Sequence, residues 1–363
     1  MIFNDFDPIE EKIFQVIDNN GIVINKKWFP DIDNERLLQA YKDMLFARTA
    51  DLMIVSYQRQ GRIYTYPPSY GQEAIQVATA MVMSDGDWLV PAFRELAAYL
   101  GKGVSLKEVF LYYMGFEDGS RFLNAKNILP ISVPVGSQLL HATGIAYEIK
   151  YNKKDQVVFA FVGDGGTSEG DFHEALNFAG VWKVPVIFIV QNNQYGISTP
   201  VSKQTASKNI AIKSYAYGIK GIKVDGNDIF AMFHALKTAS EYARSECKPV
   251  LIEGLTYRLG SHTTSDDPSL YRTNDEEKEW GLKDPVKRLK AYLLNNNLWT
   301  EEQDLQTLQQ FKQEVDIQFA DAEAYPPYKL DDVFKFMYAE IPDDLKRQQN
   351  EYEDFLKWKE ARK

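Results

Sequence analysis

Two short apolar runs, each emptying into a polar loop, constrain this chain more than any other feature. Val157-Val158-Phe159-Ala160-Phe161-Val162 empties into Gly163-Asp164-Gly165-Gly166, and residues 184–190 empty into Gln191-Asn192-Asn193-Gln194-Tyr195. Short, continuously apolar runs rich in β-branched or aromatic residues are what strands buried on both faces of a parallel sheet require. Residues 168–180 between them read as a helix. The unit is therefore β-loop-α-β, with Asp164 and Asn193 at the same edge of adjacent strands. Ligands of open α/β sheets bind at that edge, and a carboxylate beside an amide oxygen makes a hard donor pair suited to magnesium. Glycines around Asp164 let backbone amides approach an anion, and a following helix N-terminus favours the same charge. The predicted ligand is a diphosphate carried on magnesium.

The flanking sequence extends the pattern. Asp33 reads as the cap of a long helix with Leu37, Leu38, Tyr41, Leu45 and Leu52 at helical spacing, and Gly61 lies just past its end. An Ala-rich helix follows Gly71-Gln72-Glu73 and runs through Met83. A short strand at Trp88-Leu89-Val90 delivers Phe93-Arg94-Glu95, and Ser105 with Glu108 forms a capping box. After a loop-rich segment at 116–136 come a helix at 137–149, the unit above, a strand at 221–224, a helix at 228–245 and a buried strand at 249–259. Alternating strand and helix signals predict an α/β fold with a doubly wound parallel sheet. Residues 1–30 read as an N-terminal arm, 31–283 as the α/β domain, and 284–363 as a helical extension opened by Asp284-Pro285. Residues 260–280 are polar and read as a mobile loop.

Composition removes whole classes of function. A net charge of −10 with no basic stripe argues against a nucleic-acid partner. No apolar stretch approaches the roughly 20 residues that cross a bilayer, and the acidic start resembles no secretory signal. The single cysteine, Cys247, excludes an internal disulfide, reads as a small buried filler, and fits a reducing cytoplasm.

The spacing GDG, about thirty residues, then NN resembles the thiamin diphosphate signature. The longer stretch GDGGTSEGDFHEALNFAGVWKVPVIFIVQNNQYGISTPVSKQTASK, with the later SHTTSDDPSLYR, resembles the α subunit of the heterotetrameric 2-oxo acid dehydrogenases. Similarity is readable from about residue 40 to the last helices and is strongest over 133–268. The resemblance implies a thiamin diphosphate-binding fold that holds Mg2+ through Asp164, Asn193 and the main-chain carbonyl of Tyr195. It implies cofactor contacts from Gly163, Gly165 and Gly166, an anion clamp at Arg94, and backbone contacts from Val133 and Gly136. Val135 matches the apolar residue over which the cofactor bends. His262 matches a residue that contacts the diphosphate and handles a proton, a task suited to an unperturbed pKa of about 6.5. Phe93 stands where the family carries a tyrosine whose hydroxyl reaches the diphosphate.

The resemblance also implies partners. The chain carries one sheet signature, whereas the cofactor's ring requires a glutamate from a second domain of similar fold, so a β subunit is expected to complete an α2β2 assembly. A lipoyl-bearing dihydrolipoyl acyltransferase is the expected acyl acceptor. The region from GDGGTSEGDF to HTTSDDP is most similar to bacterial pyruvate-type subunits, which implies oxidative decarboxylation of pyruvate. Branched-chain 2-oxo acids and an acetoin-cleaving role come second and third.

Other readings compete at particular residues. Gly166-Thr167-Ser168-Glu169-Gly170 matches G-x-S-x-G, with Asp225 and His262 following in hydrolase order. That reading fails on position, because a nucleophile elbow turns directly off its strand. A dinucleotide fold would need glycine where Ser168 stands. Arg94 could be a solvated charge or pair with Glu95. His141, His173 and His234 lie inside predicted helices, where packing or surface roles are expected. A scaffold that kept the fold and lost activity is the remaining alternative.

Overall fold

A computed structural model describes residues 2–362. Its strands are β1 Trp88–Val90, β2 Val158–Gly163, β3 Val186–Asn192, β4 Tyr195–Gly196, β5 Thr199–Pro200, β6 Lys220–Asp225 and β7 Val250–Leu255. Five of them form one all-parallel sheet in the order β1-β2-β3-β7-β6, and β4 with β5 forms a two-residue antiparallel ladder. The apolar runs become the sheet centre because their side chains are consumed on both faces. Val158, Ala160 and Val162 of β2 and Val186, Phe188 and Val190 of β3 pack with Leu139, Ala142, Phe172 and Ala175 from helices Gln138–Tyr151 and Gly170–Trp182. The intervening Phe159, Phe161, Ile187 and Ile189 are equally buried, and helix Ile229–Glu246 packs against β3, β6 and β7. Full burial of such a side chain is worth about 1.5–3 kcal/mol. This is the doubly wound sheet that the alternating pattern predicts.

Both edges of the sheet are covered. Phe14 bridges to Val224 on β6, and Ile128 bridges to Leu89 on β1. Beside Phe14, the amides of Val16 and Ile17 donate to Asp228 Oδ2 at 2.7 and 2.8 Å. Arg288 Nη1 donates to Asp225 at 2.8 Å, and its Nε donates to the Asp18 carbonyl at 2.9 Å. Residues 14–17 thus blunt an edge that would otherwise offer a row of free amides and carbonyls.

Caps form where sequence places them. Asp33 accepts from Arg36 N, Ser105 and Glu108 make the reciprocal box, and Asp284 caps helix Pro285–Asn295. Other expectations are corrected. β2 and β3 are displaced by one or two residues from the apolar runs, and β7 stops at Leu255 instead of running to 259. Past Leu255 one bond to β3 remains, from the Thr256 amide to the Asn192 carbonyl at 2.9 Å, while the Thr256 hydroxyl lies 2.6 Å from Asn227 Oδ1 and 2.9 Å from the Gly71 carbonyl oxygen. A 3-10 turn, Gly165–Ser168, separates the GDG loop from its helix, so that helix begins at Gly170 and its N-terminus does not abut Asp164. Leu52 is exposed because the inward stripe of helix Asn34–Arg59 runs through Met44, Arg48, Asp51 and Ile54. Residues 260–280 contain a 3-10 turn, Pro268–Leu270, and a helix, Asn274–Gly281. Cys247 is half-buried in a left-handed cap position, not a core filler.

One compact unit runs to Phe319, and a second begins at Ala320 and carries helices Leu330–Phe334 and Asp343–Glu360. Among the described residues, no helix is long and apolar enough to cross a membrane.

Candidate active site

Gly163 at the end of β2 is in register with Gln191 on β3, so Asp164 and Asn193 emerge side by side from the carboxyl edge of the sheet centre. Both are buried, at 1% and 6% exposure. Asp164 Oδ1 accepts from the Asn193 amide at 3.2 Å, and Oδ2 accepts from Gln204 Nε2 at 2.8 Å. Burial raises the Asp164 carboxyl above its ordinary range, opposed by these donors. Gln194, with φ at 78°, turns the chain back. As placed, the side-chain oxygen of Asn193 lies 3.2 Å from Asp164 Oδ1 and 3.1 Å from the Tyr195 carbonyl oxygen. Three acceptors this close repel unless a proton donor or a cation sits among them. Turning the amide over would supply an N–H to both neighbours; leaving it supplies a cradle of one carboxylate, one amide and one carbonyl oxygen. That set suits a hard cation.

Asn192, the first of the pair, serves the scaffold. Its Nδ2 donates to Glu253 Oε1 at 2.7 Å, and Glu253 in turn holds the amides of Ile210 and Ala211. The glycines let the loop pack closely on its neighbours: a Cβ on Gly166 would lie 2.5 Å from Val162 Cγ2, and one on Gly165 would lie 3.2 Å from Gly196 Cα.

A second set of lining groups, the donor wall, is built from cations and touches the acceptors through Arg258. Arg94 is 6% exposed, not a solvated charge; Nη1 donates to the Pro68 carbonyl at 2.6 Å and Nη2 to the His262 carbonyl at 2.9 Å. Arg258 is fully buried and donates to the carbonyls of Tyr195 at 3.2 Å and Ile197 at 2.8 Å. His262 Nδ1 lies 3.2 Å from Arg94 Nη2 and 3.4 Å from Arg258 Nη1. A guanidinium has only donors, so Nδ1 is the acceptor and the ring proton sits on Nε2. Burial first, then Arg94 and Arg258, push the imidazole from 6.5 down to about 4. His262 is therefore held neutral at pH 7 and stays so well into the acid range. Burial and then Arg258 likewise push Arg94 down to about 10.

One cavity is lined by Phe93, Arg94, Val135, Gly136, Gly163, Asp164, Gly165, Gly166, Asn193, Tyr195 and His262. Val133 lines an adjoining apolar chamber with Tyr64, Tyr112 and Tyr113, and Phe93, Val135, Ile197 and His262 border both spaces.

The family described as Dehydrogenase E1 component matches residues 41–331. This chain belongs to it. A relative named pyruvate dehydrogenase E1 component subunit alpha, from Acholeplasma laidlawii, is 45% identical over 341 residues, spanning 93% of this chain and 99% of its own. Proteins of the same name from Bacillus subtilis (strain 168) and Staphylococcus aureus (strain Mu50 / ATCC 700699) are 39% and 37% identical, over 94% and 97% of this chain and 93% and 95% of their own.

Sequence reasoning missed several lining residues of this E1 chain: Gln72, Glu95, Gln191 and above all Arg258. Arg258 was hidden inside the run assigned to a buried strand; an arginine in such a run is the signal that the strand has already ended. The hydrolase constellation is not assembled. Ser168 Oγ donates to the Gln204 carbonyl at 3.3 Å, Asp225 pairs with Arg288, and His262 is held by Arg94 and Arg258. His141 is exposed, His173 bonds Tyr217, and His234 packs edge-on against Phe14 and Trp28.

Proposed function

We propose that this chain is the α subunit of a pyruvate dehydrogenase first component, binding thiamin diphosphate through Mg2+ and working with a β subunit in an α2β2 assembly. The observation that carries the reading is that one cavity brings the Asp164 carboxylate, the Asn193 side-chain amide and the Tyr195 carbonyl together with two buried arginines and the His262 ring. A metal diphosphate is the ligand that needs both. Asp164, Asn193 and the Tyr195 carbonyl would hold the cation, and diphosphate oxygens with water would complete the octahedral shell. Arg94 and Arg258 would meet phosphate oxygens as fork donors, and His262 would add its Nε2–H. Val135, 49% exposed at the border of the two spaces, offers the apolar surface for the cofactor rings.

When bound, thiamin diphosphate supplies the electron sink that lets a 2-oxo acid lose carbon dioxide and pass its acyl group to a lipoyl arm. The chain's residues supply orientation and charge. His262, neutral with Nδ1 fixed by two arginines, presents a proton at Nε2. A diphosphate between Arg94, Arg258 and His262 would offset the cations that depress the ring and bring its pKa toward the working range. Val133, Ile197 and Tyr64 around the chamber are 60%, 57% and 71% exposed, which supports a partner chain covering the mouth. The names of the relatives favour pyruvate over branched-chain 2-oxo acids, and a lipoyl-bearing acyltransferase is the proposed acceptor.

Mixing decides the matter. The purified chain alone should fail to decarboxylate pyruvate with thiamin diphosphate and Mg2+, and addition of the β subunit should restore the reaction. Equal rates with and without the partner would overturn the shared-site reading.

A further inference from the structure

Glu95 is 1% exposed and borders the cavity from below, yet the proposed chemistry gives it no task. Its Oε2 accepts from the amides of Ala92 at 2.9 Å and Arg94 at 3.0 Å, and its Oε1 accepts from Gln191 Nε2 at 2.6 Å. Gln191 Oε1 accepts from Gln76 Nε2 at 3.0 Å, and the same Nε2 donates to the Arg94 carbonyl at 2.8 Å. Gln76 Oε1 accepts from the Ala97 amide at 3.0 Å. A closed, buried circuit therefore ties both backbone groups of Arg94 to the end of β3, two residues before Asn193.

The circuit has a fixed direction. Backbone N–H groups feed it at both ends, and the two glutamines each accept once and donate onward. The residue at position 95 must therefore accept on both oxygens, which only an ionised carboxylate can do. An amide or a protonated acid there would set an N–H or O–H against Gln191 Nε2. Turning Gln191 over moves the conflict to Gln76, and turning Gln76 over moves it to the Arg94 carbonyl and the Ala97 amide. Buried conflicts of this kind break partly satisfied networks.

We propose that Glu95 is a positioning residue whose ionised form locks the anion clamp Arg94 in register with the metal-holding end of β3. Proton uptake by Glu95 releases that lock and weakens cofactor binding. The inference rests on the thiamin diphosphate reading above. Burial raises the Glu95 carboxyl to about 7, against the pull of the Arg94 amide and charge. The other titratable groups facing it are Arg94 from its own turn, Tyr99 from helix Leu96–Gly101 and Tyr113 from helix Leu106–Tyr113. Both tyrosines are raised by burial, and Gln76 and Gln191 carry no charge. Between pH 6 and 8, Glu95 is the member of this set that changes charge.

The test is calorimetric titration of thiamin diphosphate, at saturating Mg2+, into the complete assembly with its β partner at pH 6, 7 and 8. A carboxyl at about 7 is nine-tenths ionised at pH 8 and one-tenth at pH 6, so the wild-type Kd should rise about tenfold on acidification. Glu95→Gln should bind at least about tenfold more weakly at pH 8 and show a correspondingly flatter pH profile. Gln191→Met removes one donor to the ionised carboxylate and should move the wild-type midpoint upward; it carries the test alone if Glu95→Gln does not assemble. Wild-type affinity and pH slope in Glu95→Gln, or an unmoved midpoint in Gln191→Met, would overturn the inference while leaving the functional reading intact. A wild-type assembly that binds no thiamin diphosphate at any of these pH values would overturn both.

Discussion

The two walls of the cavity are made by opposite means. The acceptor wall is the more local: Asp164 directly follows β2, Asn193 and Tyr195 follow β3 through the turn at Gln194, and Gln204 holds the Asp164 carboxylate. The donor wall is assembled from afar, with Arg94 delivered after β1, Arg258 after β7, and His262 tied to Arg94 across 168 residues. Strand ends place these oxygens within a few residues of the sheet, with Gln204 as the added side-chain donor to Asp164. Buried guanidinium groups need carbonyls recruited from several loops, here those of Pro68, Tyr195, Ile197 and His262. The acceptor wall should therefore fail abruptly when a single residue changes, and the donor wall by degrees.

The largest expected effect is on the acceptor wall. Asp164→Asn removes its only full negative charge, so Mg2+-dependent thiamin diphosphate affinity in the assembly should fall by more than the roughly 10–100-fold that outer-shell changes cost. Calorimetry with and without Mg2+ reads this directly, and unchanged Mg2+ dependence would remove the metal assignment. On the donor wall, His262→Ala should slow acylation of the lipoyl domain by about 10²–10³-fold, within the usual range for a proton-transfer group. Comparison with decarboxylation followed by an artificial electron acceptor locates the loss. Rates within about twofold of wild type would return His262 to a structural role.

The same residue gives a pH signature in the free chain. An unfolded histidine takes up its proton near 6.5 while folded His262 stays neutral to about 4, so acid favours the unfolded chain across that window. Urea midpoints should fall as pH drops from 6.5 toward 4, and fall less steeply in His262→Ala. Arg94→Lys keeps the charge and loses the fork; one or two charge-assisted hydrogen bonds make this about a 10–100-fold loss in cofactor affinity. Loss as complete as in Asp164→Asn would break the contrast between the walls. The smallest effect is a gain: Phe93→Tyr adds a hydroxyl at the cavity border, and one net hydrogen bond is worth about fivefold in affinity. No gain would mean that this ring points its edge away from the diphosphate.

The same contrast explains what was legible in the sequence. The apolar runs before Gly163 and Gln191 announce a buried parallel sheet, and the unbroken burial from Val158 through Val162, on both faces, bears them out. Local caps at Asp33, Ser105 and Asp284 are written within four residues of the bonds they make. Arg258 and the Gln76–Gln191–Glu95 circuit were not legible, because their meaning lies in partners up to 115 residues away. The depressed imidazole of His262 was missed because its causes are burial first and then Arg94, 168 residues away, and Arg258, four residues away but read as part of a buried strand. The exposed Leu52 shows the converse failure, a periodic apolar residue displaced by the inward turn of Asp51 toward Tyr66 and Ser69.

The cover on β6 bears on how the molecule is made. Residues 14–17 leave the ribosome early, yet the Asp228 carboxylate that receives the Val16 amide lies 212 positions later, and Arg288 later still. Until β6 and the turn after it exist, the segment has no place to dock. Contacts of such span are slow to make and leave strand edges exposed while they wait. The arm is thus a long-range closure of the sheet: Phe14 pairs with β6 as soon as that strand exists, Asp228 then takes the Val16 and Ile17 amides, and Arg288 seals the segment last.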